Sequence, residues 1–405
     1  MNIIFLGGIF TKEQSSYIKL NSIGPIQYAA DALQKNYLDG LTRTCGSENV
    51  IVINLPFIGG YPGNFKKLFY TPLDEKFIFL GSTVKNISFL NVKGIKNISR
   101  LIKSFKEVRA ISKGKQDVKI ICYSMHIPFL LCCYLCKLLN NNLAYYIIIP
   151  DLPEFMMARV GLKKILYNFI NRISYYIVNK SNGISVITEK MKSKFNEDLS
   201  SVVIEGIASE NLMNECYSDD NSLLDDIKGC KYFLYTGTLD KRYGIRSLLT
   251  AYINSGVSDV KLVICGDGDD KNYLLEKSKE YKNIIYLGQL SRECVISLQI
   301  NAYVLVNPRD NSSEFTKYSF PSKTIEYMMS GVPVLMFKLD GIPDEYSGCF
   351  FEIKDEESFS YMIKYIAGLS LNELNFMGKK AKSFILENKL PEVQVRKMIS
   401  MMLKN

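Results

Sequence analysis

A chain of 405 residues exceeds what one ordinary core accommodates, and two domains of roughly 200 residues each are expected. Its composition, 47% hydrophobic, 22% charged and 12% aromatic, is globular and excludes a disordered, collagenous or coiled-coil protein. The charge is lopsided: residues 1–200 hold 26 basic and 13 acidic side chains, whereas residues 201–405 hold 24 and 28. A basic first half points to an anionic partner such as phosphorylated substrate, lipid headgroups or nucleic acid, against the plainer reading of a solubilising surface.

Short β-branched runs alternate with longer amphipathic stretches, the pattern of parallel strands covered by helices. Met1–Phe10 has no basic leader and no small-residue cleavage site, so no signal peptide is expected, and Asn2–Leu6 reads as the first strand. Further strands fit Val50–Asn54, Val118–Tyr123, Ala144–Ile149 and Gly183–Ile187. Helices between and after them fit Ile26–Leu41, Ser99–Ser112, Ile127–Leu139, Val160–Asn179 and Glu189–Phe195. The most apolar stretch, Ile120–Cys136, contains Ser124, His126 and Pro128 and falls short of the ~20 residues of a spanning helix, so no membrane span is expected. Cys132, Cys133, Cys136 and Cys265 lie in apolar runs as small buried hydrophobes, which suits a reducing cytoplasm. The Cys133–Cys136 spacing has no second pair or histidine cluster beside it and reads as chance rather than as a metal site.

The polar stretch Asn196–Gly229 joins the two halves. In the second half strands fit Val202–Ile204, Tyr232–Thr236, Val260–Cys265, Ile284–Leu287, Ala302–Val306, Pro333–Met336 and Cys349–Phe351. Helices fit Ile245–Ser255, Asp269–Tyr281, Ser291–Asn301, Ser322–Ser330, Glu356–Gly368 and Leu371–Asn388. The expected organisation is therefore two doubly wound α/β domains, 1–200 and 201–390, without an internal sequence repeat. A tail helix, Pro391–Leu403 within 391–405, either packs on its own lobe or crosses back onto the first.

The most informative segment is Tyr318–Leu335, YSFPSKTIEYMMSGVPVL. Pro321 suits the first position of a helix, where its missing N–H costs nothing. Ser322, Lys323 and Thr324 then present free N–H groups at the positive end, an anion site, and Glu326 one turn inward can accept hydrogen bonds from a diol. A capped helix with an exposed glutamate is the plain alternative for this segment alone. Two further observations join it. Tyr235–Gly244, YTGTLDKRYG, follows a strand and sets Lys241 and Arg242 between the glycines Gly237 and Gly244, cations suited to a diphosphate. Cys265–Gly268, with Gly266, and Leu287–Leu290, with Gly288 and Leu290, make glycine turns after the next two strands. Their order converges on one nucleotide pocket at the carboxyl edge of a sheet.

From about Tyr232 to Tyr346 the chain resembles the donor-binding domain of the GT-B glycosyltransferases, in particular the retaining, metal-independent family 4 (group 1) enzymes that build bacterial capsule, exopolysaccharide or lipopolysaccharide. A weaker likeness extends through Gly7–Gly8, Ala29–Leu33 and Pro150–Glu154. The resemblance implies two Rossmann-like domains facing across a cleft, a nucleoside-diphosphate sugar held in the second, and an acceptor entering through the first. It implies that Glu326 binds the ribose, that Ser322 and Lys323 meet the diphosphate, and that Gly237 and Gly244 are the glycines of the family's phosphate turn. It implies no cofactor beyond the donor substrate. The family's first motif glutamate falls on Tyr318, and the arginine and lysine of its turn fall on Thr238 and Tyr243. Lys241 or Arg242 is expected to supply the missing cation, and the backbone around Ser319–Phe320, or Glu314, the missing sugar contact.

In the first half, Gly7 and Gly8 could leave a backbone N–H facing the donor phosphate or could form an ordinary turn. His126, the single histidine, is a site candidate against the commoner structural role. Asp151 follows the apolar Tyr145–Ile149, where the resemblance puts a residue touching donor sugar or acceptor hydroxyl, with a cap or turn role as the alternative. The expected mechanism stabilises the leaving nucleoside diphosphate with Ser322–Thr324 and Lys241/Arg242, because preorganised groups aimed at developing charge are the main lever. The resemblance implies metal independence, cation side chains taking the place of a divalent ion, so no metal is expected. An acceptor on a glycan or a lipid diphosphate fits the basic half. Lys163, Lys164, Arg172 and Lys180 interleave with Leu166, Phe169 and Tyr176, and Lys96–Lys115 adds a second basic run, which suits peripheral contact with an anionic membrane at its cytoplasmic face. Competing readings are a nucleotide-sugar epimerase and a non-catalytic GT-B subunit; nucleic acid explains the basic half but not the pocket motifs and is excluded as the partner.

Overall fold

The apolar runs of the first half are buried on both faces, as strands of a parallel sheet covered by helices must be. The computed structural model describes residues 1–156, 161–209, 227 and 229–404, and divides the chain into two units, Met1–Ile207 with Pro391–Asn405, and Ala208–Leu390. The start of the expected helix at Val160, the side chain of Lys163 and most of the joining stretch Asn196–Gly229 lie outside the described residues.

In the first unit the strands are β1 (Asn2–Gly7), β2 (Val50–Asn54), β3 (Phe69–Tyr70), β4 (Lys76–Phe79), β5 (Ser82–Asn86), β6 (Phe89–Leu90), β7 (Val118–Tyr123), β8 (Ala144–Ile149), β9 (Gly183–Val186) and β10 (Ser201–Val203). The helices are α1 (Lys12–Asn21), α2 (Tyr28–Cys45), α3 (Lys96–Ser112), α4 (Ile127–Leu139), α5 (Pro153–Met156), α6 (Leu162–Asn179) and α7 (Glu189–Lys192). The main sheet runs β10-β9-β8-β7-β1-β2-β5-β4, parallel except for the β4–β5 hairpin. β1 therefore lies between β2 and β7, the point where the winding reverses. The crossovers put α2 on one face and α3, α4 and α6 side by side on the other. Sequence periodicity misses α1, whose apolar face is slight and whose start is set by a reciprocal Thr11–Gln14 cap. It also misses the β4–β5 hairpin. Val202–Ile204, expected as the first strand of the second half, falls largely on β10, which instead pairs with β9 in the first sheet.

In the second unit the order is β11 (Tyr232–Thr236), α8 (Ile245–Ser255), β12 (Lys261–Cys265), α9 (Lys271–Glu280), β13 (Ile284–Tyr286), α10 (Arg292–Ile300), β14 (Val304–Asn307), α11 (Lys323–Ser330), β15 (Val334–Phe337), β16 (Phe351–Ile353), α12 (Glu356–Ala367) and α13 (Leu371–Asn388). The sheet order β13-β12-β11-β14-β15-β16 is wholly parallel, with its reversal between β11 and β14. Ligands of such sheets bind outside the carboxyl ends of the strands at that reversal. The tail helix α14 (Pro391–Lys404) belongs with the first unit: it lies along α2, and Val395, Met398 and Met402 join a core with Tyr37, Leu38 and Leu41.

Candidate functional site

Three turns after β11, β12 and β13 stack on one another in the second unit. The Gly237 N–H donates to the Cys265 carbonyl (2.8 Å), the Gly266 N–H to the Gly288 carbonyl (2.8 Å), and the Tyr286 hydroxyl to the Gly266 carbonyl (2.8 Å). Gly266 has φ +143°, and a Cβ there would stand 1.7 Å from the Gly237 carbonyl oxygen. Gly266→Ala is accordingly expected to lower stability by about 3 kcal/mol, strain and overpacking combined. Denaturant unfolding checks this, and a change below about 1 kcal/mol would show that the turns separate readily.

These turns and the start of α11 enclose a cavity of about 450 Å³, within the ~300–1,000 Å³ typical of small-molecule sites. Among its lining residues are Gly237, Thr238, Gly266, Leu290, Lys323 and Glu326, six residues singled out in the sequence. Glu326 does not stand exposed: Gln299 Nε2 donates to its Oε1 at 2.8 Å, and Arg292 Nη2 lies 3.8 Å from its Oε2. Gln299 is fully buried and also reaches the Thr236 hydroxyl at 3.4 Å, so the carboxylate is aimed by the core. Lys323 Nζ donates to the Thr236 carbonyl and lies 5.7 Å from the Tyr235 ring centroid. Burial lowers its pKa to about 8, offset by Glu326 and then Cys265.

A second cavity of about 260 Å³ shares Thr238 and Lys323 with the first and adds Tyr243, Asn307, Arg309, Phe320, Pro321 and Ser322. Ser319 lies at its edge through a hydrogen bond from Arg309 Nη2 (2.7 Å). Here the structure corrects the expected cations. Lys241 and Arg242 are exposed and line neither cavity; Arg242 folds back onto Asp240, with Nη2 2.5 Å and Nε 3.0 Å from Oδ2. An aspartate two residues away is a nearer partner than any ligand. Arg309 lines the second cavity instead. Only 7% exposed, it lies 4.4 Å over the Phe315 ring and 5.7 Å from that of Tyr243, and its buried Nε has no hydrogen-bond partner. Burial lowers its pKa. Tyr318 is buried, Phe320 lines the cavity and packs 5.6 Å from Tyr346, and Glu314 is exposed outside both cavities. Gly288 serves through its carbonyl rather than as a lining residue.

In the first unit the carboxyl edge corrects the expectation for Gly8. Its N–H donates to Gln34 Oε1 (2.7 Å) and its carbonyl accepts from Gln34 Nε2 (3.0 Å). The next amides, Ile9 and Phe10, donate to Asn54 Oδ1 and Asp31 Oδ1 (both 2.7 Å). Buried amides must be satisfied, and three polar side chains from α2 and β2 do so, so the Gly8 amide is not left for a phosphate. Gly7 and Gly8 are there for closeness: a Cβ on Gly8 would stand 2.5 Å from the Leu55 carbonyl oxygen.

His126 begins α4, and its ring packs 5.4 Å from Phe57 and 4.8 Å from Phe129, with a buried Nδ1 that has no partner. Burial, then Arg100 and Lys96, hold its pKa well below the ordinary value, so it is neutral near pH 7. Asp151 follows β8 with its side chain in contact with solvent, while the protein packed around it raises its pKa. Ser124, at φ +73°, holds the turn between β7 and His126 in a conformation rare for serine.

Residues 230–367 match the family model described as glycosyl transferases group 1. No curated protein matches the sequence. Among solved structures, the chain is similar to the sucrose-phosphate synthase tll1590 of Thermosynechococcus elongatus (12% identity, 100% of this chain, 99% of that one, TM-score 0.64) and to the α,α-trehalose-6-phosphate synthase of Burkholderia multivorans (10%, 100% and 96%, 0.65). It is also similar to HepE of Anabaena, solved in complex with UDP (11%, 100% of both chains, 0.62). Residues 230–367 of the second unit are thus similar to a group 1 glycosyltransferase domain, and the chain has two Rossmann-like units of the GT-B fold.

Proposed function

We propose that this protein transfers a hexosyl or related sugar from a nucleoside-diphosphate sugar to a hydroxyl of a glycan or lipid-diphosphate-linked acceptor, in the assembly of a bacterial surface polysaccharide. The observation that carries the reading is the meeting of Glu326, Lys323 and the Gly237 and Gly266 turns in one cavity at the sheet's reversal. Glu326, aimed by Gln299, accepts hydrogen bonds from ribose hydroxyls. The diphosphate lies at the start of α11, where Ser322 and Lys323 oppose its charge, and Arg309, rather than Lys241 or Arg242, supplies the further cation. UDP bound to HepE supports a nucleotide in this fold.

Breaking the glycosidic bond leaves negative charge on the nucleoside diphosphate, and fixed cations in a desolvated pocket stabilise that charge as it forms. The reaction proceeds with retention and without a divalent ion, the departing phosphate taking the acceptor's proton. Asp151 and His126 orient the acceptor or donor sugar. The cysteines among the described residues, free and largely buried, suit work in the cytoplasm.

A thermal-shift panel of nucleoside diphosphates and their sugars tests the reading: a ligand at about 100 times its dissociation constant stabilises by ~2.7 kcal/mol. One base should shift the melting, and its monophosphate should shift it less. No shift from any nucleotide would overturn the donor site; turnover of donor to an isomeric nucleotide sugar without acceptor would mark an epimerase instead.

A further inference from the structure

We propose that the outer face of the α3–α4–α6 layer is a docking surface for an anionic lipid bilayer. The face belongs to the first unit alone, and the proposal stands independently of the donor site. The three helices lie side by side, with Tyr134 of α4 6.1 Å from Tyr176 of α6. On their solvent side stand apolar side chains that a water-facing layer ordinarily keeps few of: Ile98 of α3, Leu138 and Leu139 of α4, and Ile165, Leu166 and Phe169 of α6, each between 58% and 67% exposed. On α6, Ile165, Phe169, Arg172 and Tyr176 follow a three- and four-residue spacing and share one stripe.

Charge decides the occupant. Residues 94–115, 127–142 and 161–182 contain twelve Lys or Arg and one acidic residue, Glu107. Glu107 is taken up by Lys85 at 3.5 Å. Three of the twelve are taken up by the protein itself: Lys96 Nζ donates to the Ile58 carbonyl, Arg100 to those of Leu55 and Pro56, and Lys137 Nζ to Asn182 Oδ1. Lys103, Lys106 and Arg109 on α3 and Lys164 and Arg172 on α6 remain exposed beside the apolar side chains. Nucleic acid would use the cations and leave the leucines in water. A bilayer takes both, cations at the headgroup phosphates and aliphatic side chains at the acyl boundary. No helix among the described residues is long and apolar enough to cross a membrane, so the layer lies on the surface.

Flotation of the full chain with phosphatidylcholine vesicles, with and without phosphatidylglycerol, tests this in the absence of any donor nucleotide. Binding is expected only with phosphatidylglycerol at low salt. It should fall at least about tenfold in L166S/F169S and about tenfold in K164E/R172E, with the circular dichroism and melting of the parent retained. Absence of binding to the anionic vesicles would overturn the proposal. So would undiminished binding of L166S/F169S, the behaviour of a site for polyanions in general. Light scattering covers the remaining occupant: a dimer that L166S/F169S dissociates would make the face an interface between copies. Because the assay contains no nucleotide, its failure leaves the donor reading intact, and failure of the nucleotide panel leaves this one intact.

Discussion

Replacing Lys323 with alanine is expected to lower kcat by about 10²–10³, the usual consequence of removing one preorganised group that opposes developing charge. The ammonium is enclosed by the β11 turn, the Tyr235 ring and Glu326, and burial already brings its pKa down to about 8 from 10.5. The folded pKa lies below the unfolded one, so between about pH 8 and 10.5 the unfolded chain binds more protons, and this group makes stability rise with pH across that window. A bound diphosphate reverses the balance, because a nearby anion favours the charged ammonium. Nucleoside diphosphate binding above pH 8 should therefore take up protons, and Lys323→Ala should abolish the uptake. Titration calorimetry in buffers of different ionisation enthalpy measures this directly. Undiminished uptake in the variant would remove Lys323 from the phosphate. A purely structural lysine would instead weaken nucleoside and nucleoside diphosphate binding equally.

Arg309→Ala should reduce kcat/KM by about 10²-fold, and Arg242→Ala by less than about twofold. The contrast follows from their surroundings. Arg242 is 65% exposed and bound to Asp240, an arrangement worth little in water. Arg309 is buried between aromatic rings with its Nε unpartnered, so an anion entering the cavity meets a cation whose position needs no further ordering. Arg309→Lys should recover only part of the loss, since an ammonium lacks the planar fork. If Arg242 proves the more sensitive position, the turn after β11 must swing on binding and the two arginines exchange roles. A loss of melting temperature at unchanged kcat/KM would mark Arg309 as a packing residue.

Local signals made much of this site legible. Parallel strands carry continuous apolar runs, and glycine at a strand's end is visible without knowing its neighbours, so Gly237, Gly266 and Glu326 could be placed on one edge from spacing alone. The cations could not. Lys241 and Arg242 looked apt because they flank a glycine turn, but pairing with Asp240 is a contact that spacing does not weigh. Arg309 stands directly after β14 in Asn307-Pro308-Arg309, the same strand-end position, yet lacks a glycine turn to draw attention to it. Gln299 is hidden for a different reason: its role depends on how α10 packs beneath α11. For Gly8 the missing information was likewise tertiary, since Gln34 satisfies its amide from 26 residues away.

The placement of α14 bears on the order in which the protein can be built. Translation produces the first unit's strands and helices early, but the helix that covers Tyr37 and Leu41 leaves the ribosome only after the entire second unit. Until then one side of α2 remains uncovered, and the nascent amino-terminal half depends on its last piece arriving from the far end of the chain.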